Sequence, residues 1–288
     1  MPEPYRERYY QSEDGLRLYA RFYDCPLPAA PAVLCLHGLT RNSRDFEDLA
    51  PHLRAHYRVI VPDLRGRGRS ARDPHPENYR LAIYVRDVLK LIGTADISSL
   101  AIIGTSLGGL VAMMLAAARP PFVAGIVLND VGPEMDPAGI ERIKQYAGRM
   151  PAAVSWEDAA QQTRAIYASA WPDVAPERWP ALARRGYREN AAGVPEADAD
   201  PMVGEVLRSA PAAAADLWPL WAAIGDLPAL AIRGAASDIL SAATFARMKN
   251  EKPDLWQLTV PNRGHVPLLD EPECLQAIDQ FLRRLFTP

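Results

Sequence analysis

Ser106, His265 and two aspartates, Asp130 and Asp238, are the side chains of this 288-residue chain whose surroundings point to covalent chemistry. Ser106 stands in LAIIGTSLGG, Leu100 to Gly109, where an apolar run leads into Gly104-Thr105-Ser106-Leu107-Gly108 and an apolar helical pattern follows at once. The G-x-S-x-G spacing between a strand and a helix is that of a nucleophile elbow. So sharp a turn leaves no room for side chains two residues either side of the serine. It lifts the hydroxyl beside a helix N-terminus, whose free N–H groups favour negative charge.

A serine hydroxyl is a weak nucleophile near neutrality, so it needs a base, and the base needs an acid to orient it. Downstream, Leu227 to Arg233 reads as a buried strand followed by the loop Gly234-Ala235-Ala236-Ser237-Asp238, and Leu255 to Val260 reads as a last strand ending in Pro261-Asn262-Arg263-Gly264-His265. Ser106, Asp238 and His265 then follow one another in the chain order Ser, acid, His, each just past the C-terminal end of a strand. Ligands bind at such ends in open α/β sheets. Asp130, at the end of the strand Phe122 to Asn129, is the alternative acid. The position after the later strand favours Asp238.

Upstream, the short apolar strand Ala32 to Leu36 runs into His37-Gly38-Leu39-Thr40. The backbone N–H of Leu39, with that of Leu107 after the nucleophile, is the expected oxyanion site for acyl transfer. His37 reads as structural, since a second base there would compete with His265. Arg41 is a possible ligand for a substrate carboxylate, although a solvated loop arginine beside the helix cap Asn42 is the reading preferred here. His52 and His56 stand four apart, a spacing that suits a metal, yet no third ligand accompanies them and no metal is expected.

Taken together, His37-Gly38, the run Asp63-Leu64-Arg65-Gly66-Arg67-Gly68-Arg69-Ser70, Gly104 to Gly108, Asp238, Gly264-His265 and Leu269-Asp270-Glu271-Pro272 resemble the α/β-hydrolase superfamily in content and order over nearly the whole chain. The resemblance implies an α/β fold with a mostly parallel central sheet flanked by helices, and hydrolytic chemistry. Esterases, lactonases and C–C bond hydrolases share these motifs, so the substrate does not follow from them. Serine at the elbow argues against the aspartate-nucleophile dehalogenases and epoxide hydrolases.

The elements that must position these groups are legible in outline. Strands near Arg6 to Gln11, Leu16 to Tyr23, Ala32 to Leu36 and Tyr57 to Pro62 open the sheet, with a helix over Ser43 to Leu53 capped by Asn42. A helix over Leu81 to Ile92 precedes the Ser106 strand. After Asn129 the alternation stops: from about Pro133 to Pro211 no strand is apparent, and Ala, Pro and Trp dominate. It resumes near Leu217 and runs to a final helix, Pro272 to Phe286. This pattern divides the chain into a first core part, 1–132, an all-helical insertion, 133–213, and a second core part, 214–288. Such an insertion resembles the family's cap, which implies a lid that excludes water and lines an apolar pocket. Trp156 and Trp171 are its candidate substrate contacts, and Trp179, Trp218 and Trp221 lie in or just after it.

Composition fits a soluble enzyme acting on a small molecule. A formal net charge of -3 suggests no polyanion partner. Leu100 to Ala118 lacks charge, but the break at Ser106 makes it a central strand and helix rather than a membrane span. Three cysteines without Cys-x-x-Cys spacing and a charged Met1 to Arg8 lead us to expect a cytoplasmic protein without disulfides. The resulting expectation is a cofactor-free serine hydrolase of esters or lactones with a hydrophobic moiety. Cleavage of a C–C bond in a vinylogous diketone acid is the alternative chemistry, and a non-catalytic binding protein on the same fold the alternative class. The oligomeric state is left open.

Overall fold

A computed structural model describes residues 4–210 and 216–287. In chain order the elements are β1 (Arg6–Gln11), β2 (Arg17–Tyr23), β3 (Ala32–Leu36), α1 (Leu49–Leu53), β4 (Arg58–Asp63), α2 (Leu81–Gly93), β5 (Leu100–Thr105), α3 (Leu107–Ala117), β6 (Val123–Asn129), α4 (Pro137–Tyr146), α5 (Trp156–Tyr167), α6 (Trp179–Gly186), β7 (Tyr187–Glu189), β8 (Pro195–Ala197), α7 (Pro201–Ser209), α8 (Trp218–Ile224), β9 (Ala229–Gly234), α9 (Ala242–Glu251), β10 (Trp256–Val260) and α10 (Pro272–Phe286). Eight strands form one sheet in the order β1-β2-β4-β3-β5-β6-β9-β10. β1 and β2 run antiparallel to their neighbours, and the other pairs are parallel.

Both faces of this sheet are covered, which is why its central strands read as continuous apolar runs. Within β3, Leu34 and Leu36 join the apolar layer beneath α2, α3 and α8, while Val33 and Cys35 join the layer beneath α1 and α10. The second layer is closed by α10, which buries Cys274, Ile278, Phe281 and Leu282 along one face. That spacing of one residue per helical turn made Pro272 to Phe286 readable in advance. The helix expected over Ser43 to Leu53 is instead a 3₁₀ turn, Ser43–Phe46, followed by α1. Its cap holds nonetheless, since Asn42 accepts from the Arg44 N–H at 2.9 Å.

Two of the three arginines of the Asp63 to Ser70 loop, Arg65 and Arg67, are turned inward, while Arg69 is exposed beside Glu7. Arg65 pairs with Asp87, Asp73 and Asp14, and Arg67 donates to the Leu39 and Arg65 carbonyls and to the Tyr84 hydroxyl. A basic run that suggests a surface patch thus forms internal struts, holding the loop that follows β3.

The segment between β6 and β9 lies over the C-terminal ends of the strands and departs from the expected all-helical character. Besides α4 to α7 it contains an antiparallel hairpin, β7 with β8. Its turn is built by the Asn190 side chain, which accepts from the Ala192 and Val194 N–H groups, and by Gly193 at φ +75°. Three-residue strands are too short for alternation to show in sequence. The expected boundary at 213 and the Ala-rich tract 211–215 lie outside the described residues. Polar contacts hold the segment to the core: Asn42 donates to the Arg185 carbonyl at 2.7 Å and to Asp198 at 2.9 Å, and Tyr79 donates to Asp200 at 2.7 Å. Among the described residues, no helix is long and apolar enough to cross a membrane.

The two glycines flanking Ser106 are required by close backbone approach. A Cβ at Gly104 would fall 2.4 Å from the Gly108 carbonyl oxygen, and one at Gly108 would fall 2.1 Å from that of Leu36. Neither neighbour is a side chain that can move aside. Gly108→Ala is therefore expected to destabilise the fold by about 3 kcal/mol or more, at the upper end of overpacking costs. A urea denaturation midpoint measures it, and an unchanged midpoint contradicts the packing argument.

Candidate active site

Ser106 occupies the turn between β5 and α3 at φ +51°, ψ -115°, a backbone conformation that L residues rarely adopt. Its N–H donates to the Asn129 carbonyl at 3.0 Å, tying the elbow to the end of β6. His265, in the loop after β10, brings Nε2 to 3.0 Å from Ser106 Oγ. Its other nitrogen, Nδ1, lies 2.7 Å from Oδ2 of Asp130. The carboxylate accepts from Nδ1–H, and the lone pair of Nε2 faces the serine hydroxyl.

Asp130, the alternative, is thus the residue that meets His265, and the preferred acid, Asp238, is not. β6 lies between β5 and β9, so a residue at its C-terminal tip stands next to the elbow. Asp130 is fully buried there, and its Oδ1 accepts from the Gly234 N–H at 2.8 Å. Asp238 lies four residues beyond β9 and is drawn away by Arg142 of α4, whose Nη2 donates to it at 2.9 Å. Its partial burial pushes the carboxyl pKa up, but the Arg142 guanidinium outweighs this and holds it below the usual carboxylate value. Arg142 stands 96 positions upstream, and nothing in the local sequence announces the pairing.

The loop after β3 is braced from two sides. His37 Nε2 accepts from the Leu64 N–H at 2.9 Å, so its proton resides on Nδ1, which donates to the Gly38 carbonyl at 2.7 Å. Burial pushes this imidazole down to about 3, which keeps it neutral. In a trans peptide the N–H points opposite to the C=O. The Leu39 N–H therefore faces away from His37, and Arg67 fixes the next carbonyl, that of Leu39, at 2.8 Å. A Cβ placed on Gly38 would lie 3.9 Å from Ser106 Cβ, so this strip of backbone borders the serine. On the other side the Leu107 N–H is in the first turn of α3, where no intrahelical acceptor exists.

A cavity of about 70 Å³ opens over Ser106 and His265. Its aromatic wall comes from Trp171, which donates to the Val266 carbonyl at 2.7 Å, from Tyr167 stacked on it at 4.6 Å, and from Tyr146 edge-on to Tyr167. The two tyrosines were not foreseen, because helix-borne aromatics in this segment carry no motif. Trp156, the other expected contact, lies elsewhere: half-buried against the insertion's own apolar cluster, it donates to Glu189 and stacks under Arg184. Trp221 is buried in the core, Trp179 packs inside the insertion, and Trp218 meets Arg247 and Glu134. His52 faces Asp279 of α10 at 3.0 Å.

Arg41 is not solvated as expected. Its side chain is 15% exposed, lines the cavity, and grips Asp45 through Nε and Nη2. Burial works against its charge, but Asp45 more than offsets this and keeps it protonated. The nitrogen that Asp45 does not engage, Nη1, reaches the backbone at Gly186, where an added Cβ would approach it to 3.0 Å. Beyond Arg41 and Tyr167 lies a second chamber of about 270 Å³ that shares them, with Thr40 and Tyr146, as a common wall. Arg72 stands at this chamber, exposed to solvent.

A family model described as the alpha/beta hydrolase fold matches residues 31–272. A 3-hydroxybutyrate-oligomer hydrolase from Cupriavidus necator is 35% identical over 270 residues, 88% of this chain and 89% of that protein. A 2-(acetamidomethylene)succinate hydrolase from Mesorhizobium japonicum is 28% identical over 88% of each chain. Among solved structures, an alpha/beta hydrolase from Novosphingobium aromaticivorans superposes with a TM-score of 0.93 at 42% identity, covering 99% of this chain and 100% of the other.

Proposed function

The chain belongs to the α/β-hydrolase family, and we propose that it is a serine hydrolase cleaving a carboxylic ester or lactone through an acyl-enzyme on Ser106. The observation that carries this reading is the hydrogen-bonded chain from Ser106 Oγ through both nitrogens of His265 to Asp130, at the floor of a cavity. As Oγ bonds the substrate carbonyl carbon, its proton passes to His265 Nε2 and the C=O pair moves onto oxygen. The N–H groups of Leu39 and Leu107 receive that oxyanion, each such donor being worth about 10²–10³ in rate. The Asp130 carboxylate takes no proton in this scheme, stabilising the imidazolium and fixing the tautomer. The alcohol leaves with the histidine's proton, and water repeats the sequence to free the acid. Activity is lost in acid because only a neutral imidazole accepts the serine proton.

Two features support an ester that carries a carboxylate on its alcohol part, such as an ester of a short hydroxy acid. The space over Ser106 is small, and the larger chamber beyond it is bordered by Arg41 and Arg72. The Cupriavidus relative is named for oligomers of such an acid. In this reading the ester carbonyl sits over Ser106 while the carboxylate extends past Arg41, whose Nη1, not engaged by Asp45, binds it. Burying that charge unpaired is costly, and a charge-assisted hydrogen bond to Arg41 compensates for it.

The test compares 3-butyryloxybutyrate with 3-butyryloxybutyramide, which share one ester bond and differ in charge. The acid is expected to have at least a ~10-fold higher kcat/KM, the value of one charged hydrogen bond, and Arg41→Gln to shrink the difference to about 3-fold. Equal rates for acid and amide in the wild type remove the carboxylate subsite but leave the esterase. A vinylogous diketone acid turned over faster than any ester or lactone replaces ester cleavage with C–C cleavage.

A further inference from the structure

The loop after β9 serves the histidine without using its own carboxylate. Ser237, adjacent to Asp238, places Oγ 2.5 Å from Oδ2 of Asp130, the oxygen that also accepts from His265 Nδ1. The Ile239 and Leu240 N–H groups lie 3.2 and 3.1 Å from the same Ser237 Oγ and donate to it. A serine hydroxyl has one proton and two acceptor positions. With both acceptor positions filled by backbone donors, the proton is directed onto Asp130.

We propose that Ser237 is a positioning residue, the fourth group of the chain Ser106, His265, Asp130, acting through the carboxylate it holds. This rests on the serine-hydrolase reading above. Asp130 is fully buried, so donors from the protein take the place of water around its carboxyl oxygens. Gly234 N–H fixes Oδ1, and Ser237 with His265 shares Oδ2, so two anchors from β9 and its loop set the plane of a carboxylate borne by β6. No proton moves in this role. Ser237 keeps its hydrogen throughout, the Ser106 proton goes to His265, and the Ser237 bond keeps the carboxylate from rotating when the imidazolium forms. It also withdraws negative charge from Oδ2, which tempers how strongly Asp130 stabilises the imidazolium.

Ser237→Ala is expected to lower kcat about 10-fold, the scale of one hydrogen bond to a charged group, with KM within 2-fold. The acidic limb of the kcat/KM profile should shift upward by roughly 0.5 to 1 pH unit, because a carboxylate with one donor fewer holds the proton on histidine more firmly. Of the other charged groups near the pair, Asp238 and Arg142 engage each other and Arg233 of β9 is held by the Leu240 and Ala235 carbonyls of the same loop, and all three are retained in the variant. Ser237→Thr keeps the hydroxyl and should restore both the limb and the rate to within about 3-fold. In an Asp130→Asn background, Ser237→Ala should add less than about 2-fold, since it acts through the residue already lost. A Ser237→Ala protein with a lowered Tm and lowered kcat but an unmoved limb, or one indistinguishable from wild type, overturns the proposal. Ester turnover retained by Ser106→Ala would instead overturn the serine-hydrolase reading itself, so the two failures are distinct.

Discussion

Ser106→Ala should lower ester turnover by about 10⁴-fold or more while leaving the protein folded, because the members of such a chain act as a unit and the nucleophile has no substitute. The change removes only Oγ. The Cβ stays, and so does the backbone bond from the residue 106 N–H to the Asn129 carbonyl that holds the elbow. The positive φ at this position is imposed by packing around Gly104 and Gly108, and alanine pays the same conformational cost as serine. Thermal unfolding should accordingly move little. A fluorophosphonate should label the wild type at Ser106 and leave the variant unlabelled. His265 would remain in place with no hydroxyl to deprotonate, and the N–H groups of Leu39 and Leu107 would still polarise a bound carbonyl, so a residual rate above water is expected. Turnover above a tenth of wild type in a clean preparation ends the assignment of Ser106 as nucleophile.

The parts of the site that were legible are those fixed by neighbours in the chain. The elbow could be read because a strand, a glycine pair and a helix meet within ten residues, and His265 because it closes the loop after the last strand. The sheet was legible for a related reason: with both faces covered, β3, β5 and β9 are built mainly of apolar side chains. What could not be read was set by contacts between distant residues. Asp130 follows β6 and Asp238 lies in the loop after its neighbour β9, and the choice between them turns on Arg142 pulling one away and on Gly234 and Ser237 receiving the other. Arg41 had the sequence of a loop arginine, yet the insertion closes over it and Asp45 neutralises it in place. Neither Trp156 nor Trp171 stands in a motif that tells them apart as cavity contacts. Only Trp171 finds the Val266 carbonyl, and so only Trp171 faces the cavity.

Asp130→Asn is expected to lower kcat/KM by about 10³–10⁴-fold, and Asp238→Asn by no more than a few-fold. The asymmetry follows from who donates to each carboxylate. Asp130 receives the Gly234 N–H on Oδ1 and both Ser237 Oγ–H and His265 Nδ1–H on Oδ2. An amide has one oxygen and one NH₂, so every orientation of the substituted side chain sets NH₂ against a donor. With NH₂ toward His265, the ring must place its proton on Nε2, where it faces Ser106 and accepts nothing. With NH₂ toward Gly234, the side chain loses its anchor on β9. In both cases the negative charge that stabilises the imidazolium is gone. Asp238 has no such role. It is 38% exposed, its partner is Arg142 of α4, and a half-exposed ion pair contributes about 0.2–1 kcal/mol, here to seating α4 on the loop after β9. Steady-state kinetics on both variants, with circular dichroism to establish folding, decide between the two aspartates. If Asp238→Asn proves the more damaging, the acid belongs at the end of β9, and the Asp130 contact is a structural tie between neighbouring strands.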